Sequence, residues 1–382
     1  MKKTIFIIYC CCIITTSFAQ WQQTTLDSMR ITCLLVKGTN IFAGTMTAGM
    51  FLSTNNGSSW TAVNNGFTDD YVLSLAATST NIFAGTQDGN VFISSNNGNS
   101  WTVASSGLAS VRSLVINGTD IFAGTDGGVF LSTNNGSNWT AMNNGLTDTY
   151  VNSIAISDTN IFAGTTSAGV FLSTNNGSSW TAVNNGINNS HIRTFAISDT
   201  NIFAGTDNGG VFLSSNNGTL WTAVNNGLNN YSILSLLINS TNIFAGTFGG
   251  GVCLSDNNGS YWTVINTGLA NTYVFSLAVC GTTLFAGTDL GVWKRPLSQV
   301  GIEVYKDDSS FILYPNPSSD KLYIKPSQKS TIEILNINGK IIKTINNDSG
   351  ETSVDIRDLS SGVYIIKAKT DKGIDIKKFI KK

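Results

Sequence analysis

The segment Asn40–Thr45 reads NIFAGT, and its last four residues, FAGT, occur seven times in the chain. The seven copies begin at Phe42, Phe83, Phe122, Phe162, Phe203, Phe244 and Phe285. Successive copies lie 39 to 41 residues apart, and self-similarity at such a period is typical of an array of similar structural units. The sequence therefore predicts a repeat protein.

Each repeat reads as four short strands. Between residues 72 and 105 the segments VLSLAAT, NIFAGT, NVFISS and WTVAS are separated by clusters of Gly, Asn, Ser and Thr. Alternating apolar residues, β-branched side chains and Asn-Gly turns favour strands over helices. Four strands in about 40 residues are typical of a propeller blade, so we predict an all-β chain with a seven-bladed β-propeller.

Tryptophans repeat with the same period and predict how the ring closes; they lie at Trp21, Trp60, Trp101, Trp139, Trp180, Trp221 and Trp262. Trp21 has no blade of its own before it, whereas the last repeat stops after LGVWKRPL, one strand short. We therefore predict that residues 20–25 supply the outermost strand of the last blade and residues 274–294 the other three. The alternative, an open array, would need polar capping repeats, and none is visible.

Composition divides the chain into segments. Residues 1–19 combine Lys2 and Lys3, an apolar stretch and Ser17-Phe18-Ala19, which predicts a cleavable signal peptide.

Residues 20–297, the predicted propeller, contain no Glu and have a formal net charge of −6, whereas residues 298–382 have a formal net charge of +3. We expect a linker at 298–310, a second domain at 311–382, no membrane span in the mature chain and no binding to nucleic acid, because the propeller has no basic stripe.

An eight-residue turn reads STNNGSSW at residues 53–60, and five further repeats contain the same turn or a near-copy of it. Ser53, Asn55, Gly57 and Trp60 resemble the Asp-box (BNR) repeat, with Asn where that family prefers Asp. Asn55 can hydrogen-bond its own turn, Gly57 can take a positive φ, and Trp60 can anchor the turn in the blade. The resemblance implies a structural staple between the third and fourth strands, in preference to a binding role.

Asp-box propellers include sialidases and other glycoside hydrolases, as well as photosystem II stability-type factors that act by binding. A sialidase-like site needs an arginine triad, a Tyr nucleophile with a neighbouring Glu, and an Asp acid, but residues 20–297 contain no Glu and four Arg. A glycosidase with a pair of aspartates stays open. Most of the twelve aspartates there, Asp158 and Asp199 among them, lie in repeated loops and are interpreted as turn residues.

Comparing the repeats with one another separates a monotonous face from a variable face. The variable face carries the loops that join strand two to strand three and strand four to the next blade, and loops on a rigid scaffold often hold function. Three consecutive repeats place Arg112, Asn152 and Arg193 at equivalent inner positions, which could hold an anionic or sugar ligand; the alternative is drift with solvated arginines. The ligand-binding candidates are Tyr71, Arg112, Tyr150, Asn152, His191, Arg193 and Tyr273.

The tail contains, in order, the segments YPNPSSDKLYI, IEILNINGKII, VDIRDLSSGVYIIKAKTDKG and the final KKFIKK. These segments resemble the type A C-terminal sorting domain of the Bacteroidetes type IX secretion pathway. The resemblance implies that residues 311–382 engage the type IX secretion machinery and that the protein is secreted or held at the outer-membrane cell surface. Short alternating strands and an Asn338-Gly339 turn predict an immunoglobulin-like β-sandwich.

The sequence therefore predicts a binding or adhesion module for a glycan or another surface ligand, such as a surface protein. A glycoside hydrolase with Asp pairs on the variable face is the alternative, and a rigid structural surface protein is a third possibility. Cys33, Cys253 and Cys280 show neither paired spacing nor a nearby His cluster, so no disulfide framework, metal or cofactor is expected.

Overall fold

The fold is seen in a computed structural model that describes residues 20–299 and 311–382, except 327–328, 337–339, 348–349 and 371–372. The chain divides into two compact units, residues 1–302 and 303–382. The predicted signal peptide, most of the predicted linker and the predicted Asn338-Gly339 turn lie outside the described residues. The predicted domain limits therefore stay predictions.

Seven four-stranded antiparallel sheets make up the first unit, and each is one blade. Blade 1 contains β2 (Ile31–Lys37), β3 (Asn40–Thr45), β4 (Met50–Ser53) and β5 (Thr61–Ala62). Blade 2 contains β6 (Val72–Ala77), β7 (Ile82–Thr86), β8 (Val91–Ser94) and β9 (Thr102–Ser105). Blade 3 contains β10 (Val111–Asn117), β11 (Asp120–Thr125), β12 (Gly128–Ser132) and β13 (Thr140–Ala141).

The remaining blades repeat this order from inner to outer strand. Blade 4 contains β14 (Val151–Ser157), β15 (Asn160–Thr165), β16 (Val170–Ser173) and β17 (Thr181–Ala182). Blade 5 contains β18 (Ile192–Ser198), β19 (Asn201–Thr206), β20 (Val211–Ser214) and β21 (Thr222–Ala223). Blade 6 contains β22 (Ile233–Asn239), β23 (Asn242–Thr247), β24 (Val252–Ser255) and β25 (Thr263–Val264). Blade 7 contains β26 (Val274–Cys280), β27 (Thr283–Thr288), β28 (Gly291–Pro296) and, outermost, β1 (Gln22–Gln23), and a short 3-10 helix, Leu297–Gln299, follows it.

Blade 7 closes the ring with strands from two distant parts of the chain. Gln22 pairs with Lys294 and Gln23 with Trp293 in antiparallel register, and the inner strands β2 and β26 contact each other. The predicted closure by an N-terminal strand is confirmed, and the open-array alternative is wrong. The physical reason is that each blade covers the apolar side of its neighbour, so an open ring would expose two such sides to water.

The glycine of each FAGT explains why this motif repeats. A Cβ added at Gly164 would lie 2.5 Å from Ile192 Cγ2, and one at Gly287 would lie 2.6 Å from Ile31 Cγ2. The β-branched residue that begins each inner strand thus packs directly on the middle strand of the preceding blade, including blade 1 on blade 7. The preceding Phe and Ala are fully buried in every blade, so FAGT forms the contact layer between blades.

The second unit contains two sheets. The strands are β29 (Phe311–Tyr314), β30 (Lys321–Pro326), β31 (Ser330–Asn336), β32 (Ile341–Asn347), β33 (Thr352–Asp355), β34 (Gly362–Thr370) and β35 (Gly373–Lys381). One sheet has the order β29-β30-β33 and the other β32-β31-β34-β35. Leu322 of the first sheet and Ile334, Ile366 and Phe379 of the second belong to one buried cluster. The unit is therefore all-β with a shared core, and its assignment as immunoglobulin-like stays a prediction.

Candidate functional site

A pocket of about 180 Å³ lies where the inner strands of all seven blades meet on the variable face. We call it the axial pocket. Each blade contributes the second residue of its inner strand, and two residues of neighbouring loops complete the lining: Arg30, Thr32, Tyr71, Leu73, Arg112, Asn152, Arg193, Leu234 and Phe275. The equivalent positions singled out in the sequence thus come together in one pocket.

A β-bulge places these side chains. In blade 3 the register between β10 and β11 shifts between Val111 and Ser113, so Arg112 is the extra residue. The same shift occurs at Asn152 and Arg193. A bulge leaves its extra residue unpaired and re-aims its side chain, and here it directs one side chain per blade toward the ring axis.

The arginines of the axial pocket are paired with aspartates that follow FAGT. Arg112 forms a two-point ion pair with Asp126, in which Nη2 lies 3.1 Å from Oδ2 and Nε contacts Oδ1. Arg193 Nη2 lies 2.9 Å from Asp207 Oδ2. The third pair, Arg30 with Asp289, joins the first blade to the last. The three arginines and three aspartates at the opening of the axial pocket nearly cancel in charge. A ligand would therefore be recognised by the direction of the arginine N–H groups more than by an attractive positive potential.

Donors remain free in these pairs. Nε of Arg193 is buried without a hydrogen-bond partner among the described residues. The Nη1 groups of Arg112 and Arg193 likewise make no hydrogen bond with a described residue. Between these two arginines, Asn152 donates to Thr166 Oγ1 and to the carbonyl of Ile192, both at 3.0 Å. The arc of Arg112, Asn152 and Arg193 is thus held in place with donors to spare.

Aromatic side chains border the pocket. Tyr71 lines it directly, and the Arg30 guanidinium lies 4.9 Å from the ring centre of Phe275, within range of a cation–π contact. The other predicted candidates lie outside the lining: Tyr150 is exposed, Tyr273 packs edge-on against Phe248 with 4.8 Å between ring centres, and His191 sits beside Asp207. The structure therefore brings together Tyr71, Arg112, Asn152 and Arg193 but not the whole predicted set.

Ionisation at the pocket edge follows from these contacts. Burial acts to raise the pKa of Asp207, but hydrogen bonds from Ser232 and Arg193 outweigh it and hold that pKa below its ordinary value. Burial, followed by the positive charge of Arg193, lowers the pKa of His191 below 6.5, against the effect of Asp207. At neutral pH Asp207 is therefore ionised and His191 is uncharged.

Other aspartates serve the scaffold. Asp69 Oδ2 accepts from Thr86 Oγ1 at 2.6 Å and Asn90 Nδ2 at 2.9 Å, and Asp148 Oδ2 accepts from the backbone and side chain of Ser167, both at 2.7 Å. Each ties the loop entering its blade to the loop between the second and third strands. Asp158 and Asp199 lie in turns with φ of 53° and 50°, as expected of turn aspartates. The sequence reasoning missed the loop-holding role of Asp69 and Asp148, although their position three residues before the inner strand repeats.

The repeated turn on the opposite face has its own hydrogen-bond set. Asn55 Oδ1 accepts from the backbone of Ser59 at 2.9 Å, and Ser53 Oγ accepts from the backbone of Gly57 at 2.9 Å. Gly57 has φ of 71°, and Trp60 Nε1 donates to Thr24 Oγ1 at 3.1 Å. These residues hold one another and the blade, and the assignment of the turn to the Asp-box family stays a prediction.

Metal ligands do not cluster in the part of the chain that the structure describes: no group of three or more His, Cys, Asp or Glu there could hold a metal ion. In the same part of the chain, no helix has the length and apolar character needed to cross a membrane.

Seven blades around an axial pocket define the first unit as a β-propeller. Residues 44–160 match a family model described as the DUF6242 beta propeller domain, and residues 312–382 match the secretion system C-terminal sorting domain. The chain is therefore a β-propeller with a type IX sorting domain, which indicates export to the cell surface or beyond. No relative was found among curated protein sequences.

Solved structures share the fold at low sequence identity. The extracellular domain of a hybrid two component system from B. thetaiotaomicron has a TM-score of 0.64 at 14% identity, over 95% of this chain and 57% of that one. YCF48 from Cyanidioschyzon merolae has a TM-score of 0.58 at 14% identity, over 74% and 100%. The GH74 xyloglucanase from Xanthomonas campestris has a TM-score of 0.62 at 12% identity, over 80% and 59%. At such identities the likeness is one of fold.

Proposed function

We propose that this exported propeller is a binding module that holds a carboxylate-bearing surface glycan in the axial pocket. The observation that carries the proposal is the convergence of Arg112, Asn152 and Arg193, held by bulges, with guanidinium N–H groups left without partners. Arginine forks match the geometry of a carboxylate. The aspartate partners fix each fork in place, so little conformational entropy is lost when the ligand binds.

The remaining lining suits a sugar ring. Tyr71 and Phe275 supply aromatic surface, and Leu73 and Leu234 supply apolar contact beside the polar arc. Pockets that combine apolar walls with a few placed polar groups are typical ligand sites. The sorting domain supports a location where surface glycans are within reach.

The glycoside hydrolase alternative finds less support in the same residues. A general acid needs a raised pKa, whereas the pKa of Asp207 is lowered. Asp126 and Asp289 are each engaged by an arginine, so both carboxylates already have a partner within the protein. The likeness to a GH74 xyloglucanase concerns the fold. The purely structural alternative is disfavoured because the variable face carries a differentiated pocket.

The test is an array of sialylated, uronic-acid-containing, sulfated and neutral oligosaccharides, probed with the purified protein. We expect carboxylated glycans to bind, and the Arg112→Ala/Arg193→Ala variant to bind at least about tenfold more weakly, because a hydrogen bond to a charged group contributes about 1.5–3 kcal/mol. The matched control, Lys37→Ala/Lys294→Ala, removes two charges whose ammonium groups donate to Asn97 and Asn56 on the opposite face, and it should bind as the wild type does.

A second variant separates loss of ligand contacts from loss of charge balance. Arg112→Ala/Asp126→Ala removes a whole ion pair and leaves no carboxylate uncompensated, so it should fold normally and still bind weakly. Binding that survives in both arginine variants would place the site elsewhere, and a folded wild type that binds no glycan would overturn the glycan proposal. Release of reducing sugar from any bound glycan would favour the hydrolase.

A further inference from the structure

A second cavity, of about 350 Å³, lies over blade 5 on the variable face, outside the axial pocket. We call it the asparagine cavity. Its volume falls at the lower end of the roughly 300–1,000 Å³ found for ligand sites. No charged side chain belongs to its lining, which consists of Asn188, Asn189, Asn208, Gly209, Asn225 and Tyr231.

Two of these amides build the walls. Asn189 donates from Nδ2 to the carbonyl of Asp207 at 2.7 Å and accepts from the backbone of His191 at 3.0 Å. Asn225 accepts from the backbone of Val211 at 2.7 Å and donates to the carbonyl of Gly209 at 3.0 Å. The walls are thus fixed by the protein itself, as expected of a preformed site.

The remaining amides of the lining have hydrogen-bonding groups that the described protein does not use. The amide of Asn188 makes no hydrogen bond with a described residue, whereas Asn229, at the same position before the next blade, donates to the carbonyl of Gly250 at 2.9 Å. Asn208 accepts from Ser232 Oγ at 3.1 Å, but its Nδ2 makes no hydrogen bond within the described chain. The Tyr231 side chain is 50% exposed. Free amides beside an exposed ring are the groups that a ligand would engage.

Glycine keeps the cavity open. A Cβ at Gly209 would lie 2.6 Å from the Cβ of Asn189 and 2.6 Å from Thr206 Oγ1. Any side chain at this position would therefore press on the wall that Asn189 forms.

We propose that the asparagine cavity binds a neutral sugar unit of the glycan whose acidic unit lies in the axial pocket; this inference rests on the proposed function. A carboxamide donates and accepts at once, as a sugar hydroxyl does. The Tyr231 ring offers an apolar face and a phenol to the same ligand. An uncharged lining gives an acidic unit no counter-charge there, so the two sites select different units.

Asp207 connects the two sites. Its carboxylate pairs with Arg193 of the axial pocket, and its backbone carbonyl is held by Asn189 of the asparagine cavity. Asp207 thus contacts one lining residue of each site, and the proposal places neighbouring units of one oligosaccharide in the two sites. The ligand class is an oligosaccharide in which an acidic unit is followed by a neutral one.

The experiment compares two sets of probes by calorimetry: acidic oligosaccharides that carry a neutral neighbour, and the free acids sialic, glucuronic and galacturonic acid. We expect Tyr231→Ala to weaken binding of the oligosaccharide by about fivefold or more and to leave binding of the free acid unchanged. The matched control is Tyr261→Ala, which removes a tyrosine of similar exposure, 51%, from the repeated turn on the opposite face.

Asn188→Ala serves as the second variant, because its amide has no described protein partner to lose and the fold should be intact. Asn188→Ala should lower the affinity for the oligosaccharide by about threefold to tenfold, which corresponds to the loss of one hydrogen bond. Asn138→Ala, on the opposite face, is its control. Unchanged oligosaccharide affinity in both cavity variants, together with loss in Arg112→Ala/Arg193→Ala, would overturn the subsite alone. A folded wild type that binds neither set of probes would overturn the subsite and the proposed function together.

Discussion

Trp21 donates its indole N–H to the carbonyl of Ile265, 2.7 Å away and 244 residues later in the chain. The same bond recurs between successive blades, from Trp101 to Val63 at 2.8 Å and from Trp180 to Met142 at 2.7 Å. Trp21 therefore occupies the place of the outer-strand tryptophan of blade 7. The N-terminal segment is a part of that blade, and ring closure depends on it.

Replacing Trp21 tests this dependence. Trp21→Phe keeps an aromatic ring and removes one of two donors to the carbonyl of Ile265, which retains its hydrogen bond from Arg295 Nη1 at 2.8 Å. The free energy of unfolding should therefore fall by about 0.5–1.5 kcal/mol, the net contribution of one hydrogen bond. Trp21→Ala should lower it by about 3–5 kcal/mol. Urea denaturation measures both. Trp139→Phe is the control, because Trp139 donates within its own turn, to Gly136 at 2.9 Å; an equal loss in this variant would contradict a special role for closure.

Gly186 tests the second contact between blades. It has φ of 92°, and a Cβ there would lie 2.0 Å from the carbonyl oxygen of Trp221, whereas Gly118 has φ of 61° and nothing within 4 Å. Gly118→Ala should lower the free energy of unfolding by about 1–2 kcal/mol, because alanine disfavours the left-handed backbone. Gly186→Ala should lower it by about 1–3 kcal/mol more, because the added methyl group forces the blades apart. Equal melting temperatures for the two variants would show that the contact with Trp221 does not restrict the side chain at residue 186.

Ser53 tests the repeated turn. Its hydroxyl is buried and accepts from Gly57 N at 2.9 Å. Ser53→Ala leaves this N–H without its partner and should lower the free energy of unfolding by about 1–3 kcal/mol. Ser58→Ala changes an exposed side chain of the same turn and should stay within about 0.5 kcal/mol of the wild type. A similar change in the free energy of unfolding for both variants would show that Ser53 does not stabilise the turn.

Asp148 predicts a sensitivity to acid. Burial acts to raise its pKa, but hydrogen bonds from Tyr150, Ser167 and Ala168 outweigh it and hold the pKa below 3.8. A carboxyl with a depressed folded-state pKa contributes stability above its unfolded-state pKa and loses it as the pH falls through the folded-state value. Thermal unfolding should therefore shift to lower temperature as the pH falls below about 4.

The variant Asp148→Asn isolates this contribution. It should unfold at a lower temperature than the wild type at neutral pH, because an amide N–H would face the donors of Ser167. Between pH 5 and a pH below about 4, its melting temperature should also change less than that of the wild type. Asp70→Asn changes an exposed aspartate in the loop before β6, which has no described side-chain hydrogen bond, and should follow the wild-type acid profile. A parallel acid profile for Asp148→Asn would contradict the assignment.

Repetition made the architecture predictable. The strand pattern of a single blade is a weak signal, but seven copies of FAGT and seven tryptophans fix the period, the number of blades and the missing strand. The glycine of each motif packs against the β-branched residue that begins the next blade, as Gly164 does against Ile192 and Gly287 against Ile31. A larger residue in place of this glycine would clash there, which explains why the motif is the same in every blade. The bulge at Arg112 was not predicted, because a bulge depends on hydrogen bonds between strands and leaves no fixed residue type.

The sequence by itself determined the ring, its closure and the export signal, because these depend on local hydrogen-bonding patterns and on contacts that repeat at one period. Only the tertiary structure decided which loop residues meet. It paired Arg112 with Asp126, placed Tyr150 and Tyr273 outside the axial pocket, and assembled a cavity from Asn188, Asn208 and Tyr231. Such convergence depends on how neighbouring blades are positioned around the axis, and this is set by side-chain packing between distant segments.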